Sequence, residues 1–335
     1  MDERLHALLD LGVRYPIMQA GMPGAGNVRL AAAVARAGGI GTLGLQDLST
    51  WEQSLSLLRQ QAVGHPFNAN LLLPYTRKGH VEAVLRQHCP MVTLFWGAAK
   101  PYLRQLQPAG CFVFQQVGSL SEAERALEAG VNGLIVQGCE AGGHVRGEEP
   151  LVDLLPAVRD LAGEVPCFAA GGLYGAGEVA KALALGADGV STGSRFLMTR
   201  ESGAHPAYQQ RLVDATETIR TTLFGLGWAT PHRVVPNAAT ERWCDARGDV
   251  PGWLDAINRA FGFTRRLLPF KAEAAMSQRA HRPLFTNAVM DDSLPASLTD
   301  SCALYAGEAV AALESVLTVD EVMAELKAAF QAPAC

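Results

Sequence analysis

Along residues 14–197, short apolar runs of strand length alternate with stretches whose apolar positions recur at helical spacing. From "RYPIMQA" the chain passes to the amphipathic "NVRLAAAVARAG" and then to "GIGTLG". "STWEQSLSLLRQQA" leads to "FNANLLL", "HVEAVLRQHC" to "MVTLFWG", and "YLRQLQPAG" to "CFVFQQV". "SLSEAERALEAG" leads to "GLIVQG", "PLVDLLPAVRDLAG" to "PCFAAGG", and "GAGEVAKALALG" to "ADGVSTGSRFL". Eight strand candidates are thus joined by seven helical connections. The strands are apolar on both faces, as parallel strands lying beneath helices must be. Gly38, Gly110, Gly130, Gly163 and Gly186 follow apolar periodic runs and read as helix ends. Eight βα units predict an α/β fold, a (β/α)8 TIM barrel, rather than an open doubly wound sheet. "EAGVNGLIVQG" at 128–138 faintly echoes "ALGADGVSTGS" at 184–194, as suits a fold of like units.

After Phe196 the alternation stops. Residues 198–300 read as helices with irregular joins, rich in Arg, Trp and Pro, without alternating strands. The expected organisation is therefore a barrel formed by 1–197 plus 301–335, with 198–300 a helical insertion after strand 8 that covers the barrel mouth. The final "YAGEAVAALESVLTVDEVMAELKAAF" reads as a helix that closes the barrel.

Composition narrows the class. In 335 residues, 49% are hydrophobic and 18% charged, and mean hydropathy is +0.10, so a large core is available. Net charge is -5, which argues against a nucleic-acid or anionic-membrane surface. No apolar run reaches the roughly 18 residues needed to span a bilayer. The charged start "MDERLHALLDLGVRYP" lacks the apolar core of a signal peptide. Seven scattered cysteines without C-x-x-C fit reduced thiols. The expectation is a cytoplasmic globular protein.

In such barrels the chemistry sits in the loops after the strands, and phosphate is often held after strands 7 and 8. Both loops are glycine-rich. "AAGGLYGAGE" places Gly171 and Gly172 at the end of strand 7, with Gly175 and Gly177 before the next helix; "STGSRF" places Gly193 and Ser194 at the end of strand 8. Either cluster alone reads as a tight turn. Together, in adjacent loops, they predict backbone N–H groups converging on a phosphate. In "VQGCEAGGH", Gly142 and Gly143 precede His144 in the loop after strand 6, where they would let the chain approach a flat ligand closely. An imidazole there can take a proton from a substrate carbon or hold an anion; the alternative is a histidine capping a backbone carbonyl. Glu140 reads as a solvated loop carboxylate. His65, His80, His88, His205, His232 and His281 fall in helical or connecting segments, and His6 in the N-terminal tail. At the first strand end, Met18, Gln19, Ala20 and Gly21 could lie against an aromatic ring, with Met18 as barrel filler equally open. Asn27 reads as a helix cap. Asn70 is an amide at a strand end and needs partners, either a ligand or backbone.

"PIMQAGMPG", "FNANLLLP", "QQVGS", "VQGCEAGGH", "FAAGGL…ALALGADGVSTGSRFLMTRES" and "YAGEAV" resemble, in this order, the nitronate monooxygenase family, formerly 2-nitropropane dioxygenases, of FMN-dependent TIM barrels. The resemblance covers most of 14–200 and resumes near 305. It implies noncovalent FMN, with phosphate on Gly171, Gly172, Gly193 and Ser194, and the ring against Met18, Gln19, Ala20 and Gly21. Asn70 and Gln137 would reach the ring's polar edge, beside Gly143. His144 matches the family histidine that contacts substrate and can act as base on neutral nitroalkanes. The implied reaction takes a nitronate and O2 to a carbonyl product and nitrite, with a small-molecule substrate as the partner; a homodimer is compatible with this reading. The chain departs from the family in having Trp96 at the mouth and Glu308 where relatives carry "AGQ", which adds a charge opposing an anionic substrate. Trp228, Trp243 and Trp253 either shape a pocket or pack helices. Competing readings are an NAD(P)H-dependent FMN reductase acting on quinones or enoyl thioesters, a flavin- or ligand-binding protein without turnover, and a flavin-free barrel acting on a sugar phosphate.

Overall fold

The structure is a computed structural model that describes residues 3–262 and 276–331. Eight parallel strands, Ile17–Gln19, Gly41–Leu43, Phe67–Leu72, Met91–Phe95, Phe112–Val117, Gly133–Gln137, Cys167–Ala170 and Gly189–Thr192, follow one another with helices between them. The first strand pairs with the eighth, Met18 opposite Ser191. It also meets the second through Gln19 N–H to Ile40 O (3.0 Å) and Ile40 N–H to Ile17 O (2.8 Å). The sheet is therefore a (β/α)8 barrel.

The two faces of each strand divide the core. Alternate residues point opposite ways, so Met18, Met91, Phe112, Phe114, Ile135 and Phe168 fill the barrel interior with Ile40, Leu5 and Leu8. Ile17, Val92, Val113, Leu134, Cys167 and Val190 face the helices in a larger outer shell. Inside the barrel, Asn68 Nδ2 donates to Thr42 Oγ1 (3.1 Å) and Thr93 Oγ1 (2.9 Å), a buried polar rung among apolar ones. Helix ends follow the local sequence. Asn27 accepts from Leu30 N–H at 2.9 Å, and Gly130 ends helix Leu120–Ala129 at φ +87°, where a β-carbon would be strained. At the lower end Asp188 accepts from Cys167 N–H (2.8 Å) and pairs with Arg159 (2.6 Å) and Arg4 (3.0 Å), tying the N-terminal segment to the barrel.

Two expectations need amending. Residues 198–300 do hold helices, Pro206–Val213, Ala238–Trp243 and Gly252–Ala260, but also strands Ile219–Thr221 and His232–Val234. These form a three-stranded antiparallel sheet with Gly143–His144. Such short strands leave no local period; a partner nearly ninety residues away organises them. Nor is the C-terminal stretch one helix. It runs as a 3-10 turn, Glu308–Ala312, then as Val319–Gln331. The break lies at Leu317, which bridges to Thr199, and at Thr318, which exchanges hydrogen bonds with Glu321 and so starts a new helix. Helix Val319–Gln331 packs on Val28–Arg36 and Ala176–Ala184, closing the outer ring. Among the described residues no helix is long and apolar enough to cross a membrane, no acid, His and Cys cluster could hold a metal, and six cysteines are free thiols; Cys335 lies outside the described residues.

Candidate active site

A cavity opens at the C-terminal ends of the strands. Its floor is the uppermost inward-facing residue of successive strands or of the turn just beyond: Ala20, Asn70, Gln116, Gln137, Ala170 and Ser191. Its walls are the loops at Gly21–Pro23, Ala141–His144, Gly171–Tyr174 and Gly193–Ser194, with Tyr208, Asn287, Val289 and Tyr305 from the later segment. Among the described residues, no Lys, Arg, Asp or Glu side chain lines it.

The polar groups on this floor divide into two kinds. Gln137 is engaged: its Nε2 donates to His144 O (3.1 Å) and its Oε1 accepts from Arg146 N–H (2.9 Å). Its amide therefore clamps the loop that carries His144 rather than presenting itself to a ring edge. Asn70 and Ser191, both buried, make no side-chain hydrogen bond to any described residue and open on the cavity. Buried polar groups without partners are costly, so both call for a ligand or water. Gly21 lies directly behind Asn70, where a β-carbon would come within 2.4 Å of Cγ.

The two glycines before His144 have separate causes. A β-carbon on Gly142 would lie 2.5 Å from Ala306 C and Gly307 N, so this glycine admits the 306–307 backbone rather than a flat ligand. Gly143 adopts φ +72° and faces the cavity, with nothing within 4 Å of a would-be β-carbon. Glu140 is half-buried rather than a free loop carboxylate, and it accepts from Leu151 N–H (2.9 Å) at the start of helix Leu151–Ala162.

His144 stands half-buried on the wall, ringed by Trp228 (centroids 4.1 Å apart), His232 (5.5 Å) and Tyr305 (5.7 Å). Its Nδ1 lies 3.4 Å from Thr230 Oγ1. Burial among these rings disfavours the cation, and His232 adds repulsion, so the pKa falls well below the ordinary imidazole value. His232 accepts at Nε2 from Phe224 N–H (3.3 Å), which leaves its proton on Nδ1 facing Thr230 O (3.0 Å). Burial pushes His232 down to about 4. Both rings are neutral at pH 7.

Other expected positions fall elsewhere. Met18 is barrel filler, one layer below the floor, and Gln19 turns away to accept from Thr42 N–H (2.9 Å); neither lines the cavity, while Ala20, Gly21 and Met22 do. The strand simply runs further before its last inward residue than its motif suggests. Gly171, Gly172, Gly193 and Ser194 lie together on one wall, and Ser194 Oγ accepts from Gly307 N–H (2.9 Å). Gly175 and Gly177 do not line it. Glu308 pairs with Arg233 at 2.7 Å and lies off the cavity, so its charge does not oppose a substrate. Trp96 stacks edge-on against Trp228 (5.3 Å) with Arg146 over its face (4.6 Å). Trp243 and Trp253 pack on each other instead. Sequence reasoning set His232 aside and missed Thr230, Tyr305, Ser191 and Gln116. The last two could have been found by counting in twos along strands already marked; the others depend on a long-range pairing.

A profile of the family described as nitronate monooxygenase matches residues 5–96 and 75–328. The chain belongs to the nitronate monooxygenase family. It is thus an oxidoreductase, in a family of flavin enzymes. It is 30% identical over 281 residues to (3aS,4S,5R,7aS)-5-hydroxy-7a-methyl-1-oxo-octahydro-1H-indene-4-carboxyl-CoA dehydrogenase of Mycobacterium tuberculosis, covering 82% of this chain and 75% of that one. A probable nitronate monooxygenase of Staphylococcus aureus is 26% identical over 72% of this chain and 81% of its own. Among solved structures, nitroalkane oxidase from Streptomyces ansochromogenes superposes with a TM-score of 0.75 at 26% identity, over 97% of this chain and 99% of that one.

Proposed function

We propose that the chain is an FMN-dependent nitronate monooxygenase, which takes alkyl nitronates and O2 to a carbonyl product and nitrite. The observation that carries this reading is the position of the His144 imidazole, held neutral by burial, on the wall of a cavity to which the described residues bring no Lys, Arg, Asp or Glu side chain. A neutral imidazole takes a proton from the carbon beside a nitro group, generating the nitronate in place from the uncharged nitroalkane. It does not serve as a fixed cation for a nitronate arriving as an anion.

The residues present fit FMN. The unpartnered Asn70 amide and Ser191 hydroxyl are suited to the polar edge of a ring system, and Ala20, Met22 and Ala170 give it apolar support. Gly171, Gly172, Gly193 and Ser194 would hold the phosphate through backbone N–H groups and one hydroxyl. Bound FMN supplies the electron transfer; the protein binds, orients and moves one proton at His144 Nε2.

One observation favours a second reading. The Mycobacterium tuberculosis relative, at 30% identity, is named as a dehydrogenase of a CoA ester, against 26% for the probable nitronate monooxygenase. On that reading the chain exchanges electrons with NAD(P)H and acts on enoyl thioesters or quinones. An anaerobic absorbance titration separates the two. Bleaching of the flavin by nitroethane, with nitrite released once air is admitted, supports the monooxygenase. Bleaching by NADH or NADPH alone overturns it in favour of the reductase.

A further inference from the structure

Thr230 lies outside the motifs of the barrel, yet its hydroxyl is the one polar group that the described residues offer to His144 Nδ1. Four polar contacts locate it. Its backbone O accepts from His232 Nδ1–H (3.0 Å), its N–H donates to Trp228 O (2.8 Å), and its Oγ1 lies 3.4 Å from both Trp228 O and His144 Nδ1. The strand pairing that puts His232 opposite His144 also fixes the chain that delivers this hydroxyl. The titratable groups whose rings pack on His144 are His232, buried on strand His232–Val234, and Tyr305, half-buried in the 303–306 segment; both are uncharged at neutral pH.

A hydroxyl has one proton to give. Given to Trp228 O, it leaves Oγ1 lone pairs facing His144, whose Nδ1 must then carry the imidazole proton and whose Nε2 lone pair is left for the cavity. Given to His144 Nδ1, it would place the proton on Nε2 and abolish the base. We infer that Thr230 is a positioning residue that holds His144 as the Nδ1–H tautomer, so that Nε2 accepts the substrate proton. The inference rests on the reading of His144 as a base.

The test uses flavin-loaded protein labelled with 15N-histidine. Long-range 1H–15N spectra, with His144 assigned by its loss in His144→Gln, report which nitrogen carries the proton before any substrate is added. Wild type and Thr230→Ser should show Nδ1–H, and Thr230→Val a mixture of tautomers. In parallel, kcat/KM is followed from pH 5.5 to 9 with nitroethane and with pre-formed ethyl nitronate. Thr230→Val should lose about 3- to 10-fold with nitroethane, whose carbon only the Nδ1–H tautomer deprotonates, and stay within about 1.5-fold of wild type with the nitronate. Thr230→Ser should recover most of the loss. A proton on Nε2 in the wild type, or the same tautomer in Thr230→Val, overturns the inference. So does an equal loss on both substrates. Should the spectra come out as expected while neither nitro compound is turned over, the proposed function fails and the tautomer assignment stands.

Discussion

Acidification should destabilise this protein through a ring on strand His232–Val234. His232 is fully buried, with both nitrogens engaged by Phe224 N–H and Thr230 O, and its pKa is pushed down from 6.5 to about 4. The unfolded chain binds the proton from about pH 6.5 downwards, whereas the native state resists it until about pH 4. The unfolded state therefore holds more protons in that window, and stability falls as pH falls. The stabilisation is whole above pH 6.5. By pH 4.5 about 2–3 kcal/mol of it is gone, at about 1.4 kcal/mol per pH unit. The assay is urea unfolding of wild type and His232→Gln at pH 7.5, 6.0 and 4.5. His232 also bears on the neighbouring His144 ring, so the difference between the two slopes reports His232 together with that coupling. The wild type should lose about 2 kcal/mol more than the variant between the outer pH values. Parallel slopes would refute the argument, since they would mean His232 titrates alike in folded and unfolded chains.

Three further outcomes follow from the site and its frame. His144→Ala should retain flavin, judged by its absorbance after gel filtration, and lose about 10²- to 10⁴-fold in turnover of a neutral nitroalkane. Asn70→Ala removes the unpartnered amide on the cavity floor and should weaken FMN binding about 10- to 100-fold in a fluorescence titration, the range expected for one or two lost hydrogen bonds. Asp188→Asn leaves Arg159 and Arg4 without their carboxylate at a buried position and should cost about 3 kcal/mol in urea unfolding; kcat should be unchanged wherever the variant is folded.

The barrel was legible because each of its units carries its own evidence. A strand apolar on both faces, a helix with one apolar stripe and a glycine at the helix end are all written within some twenty consecutive residues, and Asn27 and Gly130 act as their sequence context suggests. His144, Asn70 and the paired glycine loops were legible for a related reason: polar or glycine residues at the ends of apolar strands stand out. What escaped depends on chain segments meeting from afar. Nothing near "TPHRVV" says that His232 will lie opposite His144, since the pairing joins a two-residue strand to a three-residue one. Met18 was misplaced by a single inward layer and Gln19 by the face of its strand, distinctions that only the closed barrel defines. Glu308 looked like a charge at the mouth because its partner Arg233 is some seventy-five residues earlier in the chain.

The outer ring of helices is closed by Val319–Gln331 packing on Val28–Arg36, elements about 290 residues apart. During synthesis at about 5–20 residues per second, the earlier helix waits about 15–60 s for its neighbour. Until then Leu30, Val34 and the edge of the first strand lack one side of their cover, and the eighth strand that pairs with the first also arrives late. The nascent chain thus carries an exposed apolar seam throughout that interval. Any change that slows elongation lengthens that interval and, with it, the opportunity for chaperone capture or for adhesion between neighbouring nascent chains.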